Sequence, residues 1–381
     1  MDFSWTEEQL ALRDAVVQFA RCELNHDIST REQQNEFPAD DWVKCAEFGI
    51  QGMMIPTVYG GRGYDPLTAV FLLEGLGYGC LDNGLPFALN SQMWSFQPAI
   101  LKFGSEAQKE RYLPPVCRGE LIGAFGITET ETGSDTFAMQ TTAKKVDGGY
   151  VLNGRKSYIT LAPVAHAAVV FATTNPELGR WGISTFIVDR GMAGFRSSPV
   201  RDKMGLRTTP MGDLILEDCF VPEENRLGPE GSGASLFTTA MESERGYIFA
   251  SQLGAMERQL ETALAYARER KAFGQPIGKF QSVSNRLVEM KLRLEMARTL
   301  LYKVAWLEEQ GKPLLMEAAM AKLYLSEAFV DSSLDAIRLH GARGYVTEFE
   351  IERDLRDGVG GLIYSGTSDI QRNIIARLMG L

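Results

Sequence analysis

The segment that decides the fold is Ile127-Thr128-Glu129-Thr130-Glu131-Thr132-Gly133-Ser134-Asp135. Hydroxyl, carboxyl and small side chains in a row are by themselves more typical of a capped turn than of a ligand site. The position of the segment is more informative, because helical periodicity precedes it and short β-branched and aromatic runs follow it. We therefore predict that a helical domain gives way to a sheet domain here.

The residues on the N-terminal side of this segment predict helices. Thr6 and Gln9 have the spacing of a capping box, and apolar residues recur on a helical repeat after them. Between Met53 and Gly63 a proline and three glycines cannot continue a helix, so a loop is expected there. Helical patterning resumes over residues 67–76 and 105–113.

The residues on the C-terminal side predict strands and then helices. Runs such as 150–154, 167–172 and 182–188 alternate with turns, and a glycine-rich joint at 228–233 ends this part. Beyond it, apolar residues repeat every three or four positions, as in a bundle seam. The seam, which we interpret as core packing alone, consists of Val283, Leu287, Met290, Leu294, Ala297, Leu301 and Val304. The predicted domains are 1–121, 122–232 and 233–381.

Composition limits the class of protein. The 381 residues, 45% apolar and 23% charged, are expected to fold as two or three units. A net charge of −10 disfavours nucleic-acid binding, and five scattered cysteines without metal-ligand spacing argue against zinc or disulfides. Met1 leads directly into Asp2 and a polar stretch, and no run of about 18 apolar residues follows. We expect no signal peptide, no membrane span and a cytoplasmic location.

Three further motifs point to a family. No P-loop and no G-x-G-x-x-G opens a βαβ unit, which disfavours a Rossmann nicotinamide enzyme. The motifs are Arg-Lys-Ser-Tyr-Ile-Thr at 155–160, Glu-Arg-Lys-Ala-Phe-Gly-Gln at 269–275 and Tyr-Ser-Gly-Thr-Ser-Asp-Ile-Gln at 364–371. With 127–135, their order and spacing resemble the acyl-CoA dehydrogenase family over essentially the whole chain. The resemblance implies an N-terminal all-α domain, a central barrel-like β-sheet domain, a C-terminal four-helix bundle, and FAD held between domains.

The resemblance also implies which residues contact the FAD. The residues expected to line the flavin ring are Phe125, Ile127, Thr128, Tyr158 and Thr160. Ser134 is expected near the flavin phosphates, and the adjoining Gly133 belongs to the same cofactor-binding set. Hydroxyl and backbone donors suit this place because they orient the ring without adding charge.

Members of this family are usually tetramers in which one subunit grips the FAD of its neighbour. Arg270, Phe273 and Gln281 match the positions of that grip, and Thr367 and Asp369 match the C-terminal FAD contacts. Arg338 and Gly341 match a pyrophosphate contact. Two departures weaken that last match, because Arg338 replaces a common glutamine and Ala342 replaces the second glycine of a Gly-Gly pair.

The catalytic base needs a separate argument, because Ser365 stands where the family usually has its glutamate. A serine hydroxyl is too weak a base, and no histidine lies nearby in sequence to activate it. Some members carry the carboxylate instead on an early helix of the C-terminal domain, just before an arginine. Glu244, which precedes Arg245, matches that position. The resemblance thus implies Glu244 as the base, the Ser365 N–H as a donor to the thioester carbonyl, and Arg245 and Tyr364 at the substrate pocket.

Glu242 is the competing carboxylate. On a helix, residues two positions apart point roughly 200° away from each other, so only one of the two glutamates can face the flavin. Burial beside the flavin is expected to raise the pKa of Glu244 and suit it to proton removal. We interpret the Ser365 side chain as one that simply leaves space for a ring, and Arg245 as a structural partner of the helix.

Beyond the family, the Glu244-Arg245 pair and the ending at 365–369 look similar to dehydrogenases of prolyl groups on carrier proteins. The substrate implied is an L-prolyl thioester on a phosphopantetheine arm, oxidised to a pyrroline or a pyrrole in natural-product biosynthesis. A short- or branched-chain acyl-CoA ester is the main alternative, and a non-catalytic flavoprotein scaffold is another. The sequence leaves open whether an electron-transfer flavoprotein or oxygen takes up the electrons.

Overall fold

The computed structural model describes residues 4–381, so Met1 and Asp2, which bear on the expected absence of a signal peptide, lie outside the described range. Helices, strands and again helices follow one another, which confirms the predicted fold class. The N-terminal helices are α1 (Glu7–Glu23), α2 (Ile28–Gln34), α3 (Ala39–Phe48), α4 (Pro66–Gly79), α5 (Gly84–Ser91), α6 (Gln97–Phe103) and α7 (Glu106–Cys117). A π-helical turn, Gln92–Phe96, joins α5 to α6.

Local sequence signals fix the ends of these helices. At the start of α1 the Gln9 N–H donates to the Thr6 hydroxyl at 3.2 Å, and the Thr6 N–H donates back to Gln9 at 3.1 Å, which confirms the capping box. At the start of α4, Asp65 caps the helix by accepting from the Thr68 N–H at 2.7 Å. Residues 49–65 contain only a short 3₁₀ turn, Thr57–Tyr59, as the proline and glycines predict.

The middle of the chain forms a seven-stranded sheet. Its strands are β1 (Gly123–Gly126), β2 (Thr142–Val146), β3 (Gly149–Thr160), β4 (Ala167–Thr173), β5 (Ile183–Asp189), β6 (Phe195–Ser197) and β7 (Met211–Pro222). The order is β1-β4-β2-β3-β7-β6, and β5 pairs with β4. β1 runs parallel to β4, whereas the long strands β3 and β7 pair antiparallel with register shifts between Lys156 and Ile159. Such an irregularity can turn a side chain out of the sheet.

The remaining chain is helical apart from a short hairpin. Its elements are α8 (Gly233–Tyr247), α9 (Ala250–Glu269), β8 (Lys271–Ala272), β9 (Gln275–Pro276), α10 (Gln281–Glu309), α11 (Leu315–His340), α12 (Ala342–Tyr345), α13 (Ile351–Gly361) and α14 (Ser368–Leu378). The predicted seam lies on α10, where Val283 is partly buried and its other six members are buried. The four long helices α8 to α11 form the predicted bundle, in which α11 contacts the other three.

Two contacts hold the domains around the site. A Cβ on Gly77 of α4 would lie 1.8 Å from the Ser251 carbonyl oxygen, so the absence of a side chain lets α4 approach α9 closely. The π-helical turn contacts both α8 and β1. Trp94 packs on Tyr247 of α8 with ring centroids 4.6 Å apart, while Gln92 accepts from the Gly123 N–H at 2.6 Å. This turn therefore fixes α8 relative to the sheet.

Candidate active site

A carboxylate and a hydroxyl from distant parts of the chain are in contact with each other. Glu244 lies near the C-terminal end of α8, and Ser365 lies in the loop between α13 and α14. The Ser365 hydroxyl donates to Oε1 of Glu244, with 2.5 Å between the two oxygens. Both residues are partly buried. The contact joins two residues 121 positions apart, each singled out by the sequence.

Two buried cations lie near this pair. Burial raises the pKa of Glu244, while the hydrogen bond from Ser365 and the charges of Arg245 and Lys322 oppose that rise. Lys322, on α11, has no exposed surface, and its Nζ donates to the Gly361 carbonyl at 2.9 Å. Burial, with the nearby Arg245 charge, lowers the pKa of Lys322 to about 8. The Glu244 carboxylate is thus removed from water, and the Ser365 hydroxyl and two nearby cations offset part of the effect of burial on its pKa.

Lys322 was not among the site residues predicted from the sequence. A lone lysine among small apolar residues of α11 was the available signal, since charged residues are almost never fully buried unless they are paired. The pattern does not say which distant group the lysine faces.

The backbone of the 365–366 turn is held from two sides. Ser365 and Gly366 have left-handed backbone angles, φ 56° and φ 87°. The Ser365 carbonyl accepts from Arg245 Nε at 3.3 Å and from the Gln371 amide at 3.1 Å, and that amide also donates to the Gly366 carbonyl at 2.9 Å. Within residues 4–381 no acceptor takes the Ser365 N–H. That N–H is therefore available to a ligand.

These contacts refine two interpretations. The Ser365 side chain does more than leave space, because its hydroxyl is hydrogen-bonded to Glu244. Arg245, interpreted as a structural partner of its helix, also donates to the Ser365 carbonyl of the 365–366 turn.

Glu242 has different surroundings from Glu244. Burial raises its pKa, while the charges of Lys102 and Arg245 lower it and Glu308 raises it further. The Lys102 ammonium also donates to the Ser243 hydroxyl at 3.4 Å, on the same stretch of α8. Arg245 acts on both glutamates, but Lys102 and Glu308 act on Glu242 whereas Ser365 and Lys322 act on Glu244, which agrees with their helical spacing.

An aromatic cluster flanks the carboxylate. The ring of Tyr364 packs on Phe249 of the C-terminal domain and on Phe87 of α5, with centroids 5.5 and 4.7 Å apart. Burial, together with the nearby charge of Glu244, raises the pKa of the Tyr364 phenol, which stays neutral. Rings from two domains thus pack on Tyr364, which lies near Glu244.

The residues predicted to line the flavin ring come from two strands that the structure brings together. The Ser157 N–H donates to the Thr128 carbonyl at 2.8 Å, which joins the end of β1 to β3. Lys156 reinforces the junction because its buried Nζ donates to the Ile127 carbonyl at 3.2 Å and pairs with Glu129 at 2.8 Å. Phe125, Ile127, Thr128, Tyr158 and Thr160 therefore lie around one edge, the junction of the end of β1 with β3.

Tyr158 is presented outward at this edge. It has a left-handed backbone angle, φ 61°, and half of the residue, 51%, is exposed. Its N–H donates to Asp213 at 3.3 Å, and the guanidinium of Arg201 lies 5.0 Å from its ring centroid. Gly133 and Ser134 lie on the exposed loop that follows β1. An outward aromatic ring next to an exposed polar loop fits a flat ligand with a polar tail.

The other predicted cofactor residues lie apart from this edge. Arg270 and Gln281 flank the β8–β9 hairpin, where Phe273 is 96% exposed. Arg338 pairs with Asp335 at 3.3 Å next to Gly341, at the end of α11. Their exposure is what a contact made to another subunit would require.

The start of α14 forms an open groove. Thr367 and Asp369 line it with Ile363, and its volume is about 490 Å³. Thr367 caps the helix by accepting from the Ile370 N–H. The buried hydroxyl of Ser368 has no hydrogen-bond partner within residues 4–381. An unpaired buried hydroxyl beside an open groove fits the polar part of a bound cofactor.

No helix of the described chain is long and apolar enough to cross a membrane. All five cysteines are free, and Cys22 alone of them is exposed.

Comparisons with known proteins cover the whole molecule. The family models for the acyl-CoA dehydrogenase N-terminal, middle and C-terminal domains match residues 6–120, 124–219 and 231–380. An L-prolyl-[peptidyl-carrier protein] dehydrogenase from Pseudomonas fluorescens is 43% identical, with 100% of both chains covered. The prolyl acyl carrier protein oxidase AnaB is 49% identical with a TM-score of 0.98, covering 99% of this chain and 100% of its own. PigA, solved with FAD and proline, is 38% identical with a TM-score of 0.97 and 100% coverage of both chains.

Proposed function

Because the chain belongs to the acyl-CoA dehydrogenase family, we propose that it is an FAD-dependent enzyme that desaturates an acyl thioester between its α- and β-carbons. The substrate we propose is an L-prolyl group on the phosphopantetheine arm of a carrier protein. The observation that carries the proposal is the buried carboxylate of Glu244 beside the free N–H of Ser365. Base and carbonyl donor thus lie in one place, although the family's usual glutamate is absent.

In the proposed reaction, Glu244 takes the α-proton as an electron pair from that C–H bond forms the new double bond. FAD, when bound, would accept the hydride that leaves the β-carbon. The thioester carbonyl acidifies the α-hydrogen, and the Ser365 N–H would stabilise the negative charge that develops on its oxygen. Burial favours the task of Glu244 because it raises the pKa of this carboxylate above that of an ordinary glutamate.

The chain's own residues would hold the FAD. Phe125, Ile127, Thr128, Tyr158 and Thr160 would contact the ring, and Gly133 and Ser134 would lie near the phosphates. Thr367 and Asp369 would bind from the start of α14. Arg270, Phe273, Gln281, Arg338 and Gly341 would reach the FAD of a neighbouring subunit. The exposed Phe273 supports such a contact, since a large apolar side chain in water gains by docking.

The prolyl-carrier substrate is supported by the relatives, whose names specify prolyl groups on carrier proteins. Its test is a mass measurement on three substrates: prolyl-loaded carrier protein, prolyl-CoA and a short acyl-CoA. We expect loss of two hydrogens from the prolyl group on the carrier, or of four if a pyrrole forms. Reaction of the free CoA esters alone would identify an acyl-CoA dehydrogenase. Bound FAD that no thioester reduces would instead identify a scaffold.

We also propose a homotetramer. The apolar side chains Val288, Leu292 and Met296 line one face of α10 and are each 45% to 62% exposed. A patch of this kind is typical of an interface. Light scattering on the purified protein is expected to give four times the 42.2 kDa chain mass, and Leu292→Lys is expected to lower it.

The electron acceptor completes the proposal. Turnover in air compared with turnover under an electron acceptor without oxygen distinguishes an oxidase from a dehydrogenase that uses an electron-transfer flavoprotein.

A cytoplasmic location is proposed because the free cysteines suit a reducing compartment.

A further inference from the structure

We propose that the hydroxyl of Ser365 positions the carboxylate of Glu244 for proton removal. Ser365 would then have two separate tasks, one for its backbone N–H and one for its side chain. The inference rests on the proposed role of Glu244 as the base. It goes further because it assigns a task to the side chain that replaces the family's usual glutamate.

The two oxygens of the Glu244 carboxylate have different surroundings. Oε1 of Glu244 accepts from the Ser365 hydroxyl at 2.5 Å. No donor within residues 4–381 reaches Oε2. One oxygen is therefore held while the other is free to take a proton. A base that is already held by one hydrogen bond has fewer orientations to lose when the substrate binds. The entropic cost of reaching the reactive geometry is therefore smaller.

The backbone fixes the direction of the Ser365 side chain. A left-handed backbone at a residue other than glycine costs free energy and persists only where the surroundings enforce it. Here the enforcing contacts are the hydrogen bonds from Arg245 and Gln371 to the Ser365 carbonyl. The strained backbone directs the hydroxyl at α8, and with it at Glu244.

Ser365 also affects the electrostatics of Glu244. The groups that face Glu244 are Arg245 on its own helix, Lys322 on α11, and Tyr364 and Ser365 in the loop before α14. Burial raises the pKa of Glu244, and the Ser365 hydrogen bond opposes burial more than either cation does. A donor to the charged form of a carboxyl stabilises that form. Ser365 thus favours the ionised form of Glu244 against the effect of burial.

The test compares Ser365→Gly and Ser365→Ala with the parent holoenzyme. Glycine accepts the left-handed backbone more readily than serine, so Ser365→Gly is expected to unfold at the same temperature or higher. Both variants lose the hydroxyl. We expect the acid limb of flavin reduction by prolyl-loaded carrier protein to move upward by about one pH unit, the size of one hydrogen bond to a charged group. At pH values below that limb, both variants should reduce the flavin about ten-fold more slowly than the parent.

A second measurement is independent of turnover. Infrared titration of the substrate-free holoenzyme follows the C=O stretch of protonated Glu244, identified as the band that Glu244→Gln removes. Its midpoint should move upward in both Ser365 variants, by the same amount as the kinetic limb. A merely structural role for Ser365 would leave this midpoint in place.

Three results separate the inference from the proposed function. An unmoved limb and midpoint in Ser365→Gly would overturn the positioning role, even if Glu244→Gln is inactive. Loss of rate in Ser365→Ala but not in Ser365→Gly would overturn it too, because backbone strain would then be the cause. Flavin reduction by Glu244→Gln would overturn the base assignment itself.

Discussion

The amide nitrogen of Gln371, a residue with no exposed surface, lies 3.1 Å from the Ser365 carbonyl oxygen and 2.9 Å from that of Gly366. One side chain of α14 thus satisfies both carbonyls of the strained turn. Because Gln371 reaches neither Glu244 nor the free N–H of Ser365, it acts on the site through the backbone alone.

Gln371→Met is therefore expected to lower both stability and rate. The Gly366 carbonyl loses its donor and the Ser365 carbonyl keeps only that of Arg245, which we expect to cost about 1 to 3 kcal/mol in the free energy of unfolding. Flavin reduction should slow as the 365–366 turn loosens. Urea denaturation and anaerobic stopped-flow reduction measure the two effects. Arg372→Gln, at the exposed neighbouring position, is the control and should change neither; equal effects of the two substitutions would contradict this role.

Substitution of Gly366, compared with that of Gly148, distinguishes the effect of backbone strain from that of a steric clash. A Cβ there would lie 2.7 Å from the Gln371 amide nitrogen, whereas Gly148, with φ 75°, has nothing within 4 Å. Both glycine-to-alanine substitutions pay a left-handed penalty of about 1 kcal/mol. Only Gly366→Ala should also displace Gln371 and reduce the rate of flavin reduction. A matching loss of rate in Gly148→Ala would show that the clash is irrelevant.

The buried ion pair of Lys156 and Glu129 is expected to hold the flavin edge. Lys156→Met leaves Glu129 buried without its cation, which should destabilise the protein by about 3 to 5 kcal/mol. FAD should dissociate more readily because the β1–β3 junction loosens. The control, Arg196→Met, breaks the exposed pair with Glu217 and should cost less than about 1 kcal/mol. Denaturation and ultrafiltration of free FAD measure both; comparable losses would refute this account.

The raised pKa of Asp357 predicts how the stability of the protein depends on pH. Burial raises its pKa to about 7, although it accepts from the Leu206 N–H at 2.6 Å and from Asn83 at 3.0 Å. The folded state then binds more protons than the unfolded state between the ordinary pKa, about 4, and 7. Its contribution to stability must therefore fall as the pH rises through this window.

The measurement is urea denaturation of the parent and of Asp357→Asn at pH 5 and pH 8. Asparagine does not titrate, so the stability of the parent relative to the variant should be greater at pH 5 than at pH 8. An equal difference at the two pH values would contradict the raised pKa.

The sequence predicted the parts of this molecule that depend on local pattern. The seam of α10 follows from its apolar period, and the capping box of Thr6 follows from hydroxyl and amide spacing. The same reasoning placed Glu242 and Glu244 on different sides of α8. Such patterns identify a buried face, a helix end or a turn because each depends on residues only a few positions apart.

Relationships over long distances in sequence were beyond that reach. The Ser365 hydroxyl bonds Glu244 only because two helix packings and a left-handed backbone angle bring the residues together. Lys322 and Gln371 read as ordinary helical residues until the fold shows which groups they face. Local pattern carries no information about those partners, so the hydrogen bond of Ser365 to Glu244 could not be predicted from it.

The central claim is that Glu244 removes the α-proton. The most direct measurement is anaerobic loss of oxidised-flavin absorbance after mixing with prolyl-loaded carrier protein, for Glu244→Gln and, as the matched control on the same helix, Glu242→Gln. Both variants should retain FAD at the parent level. Glu244→Gln should react roughly 10² to 10⁴ times more slowly, while Glu242→Gln reacts at the parent rate. Parent-like reduction in Glu244→Gln, or its loss in Glu242→Gln instead, would contradict the account.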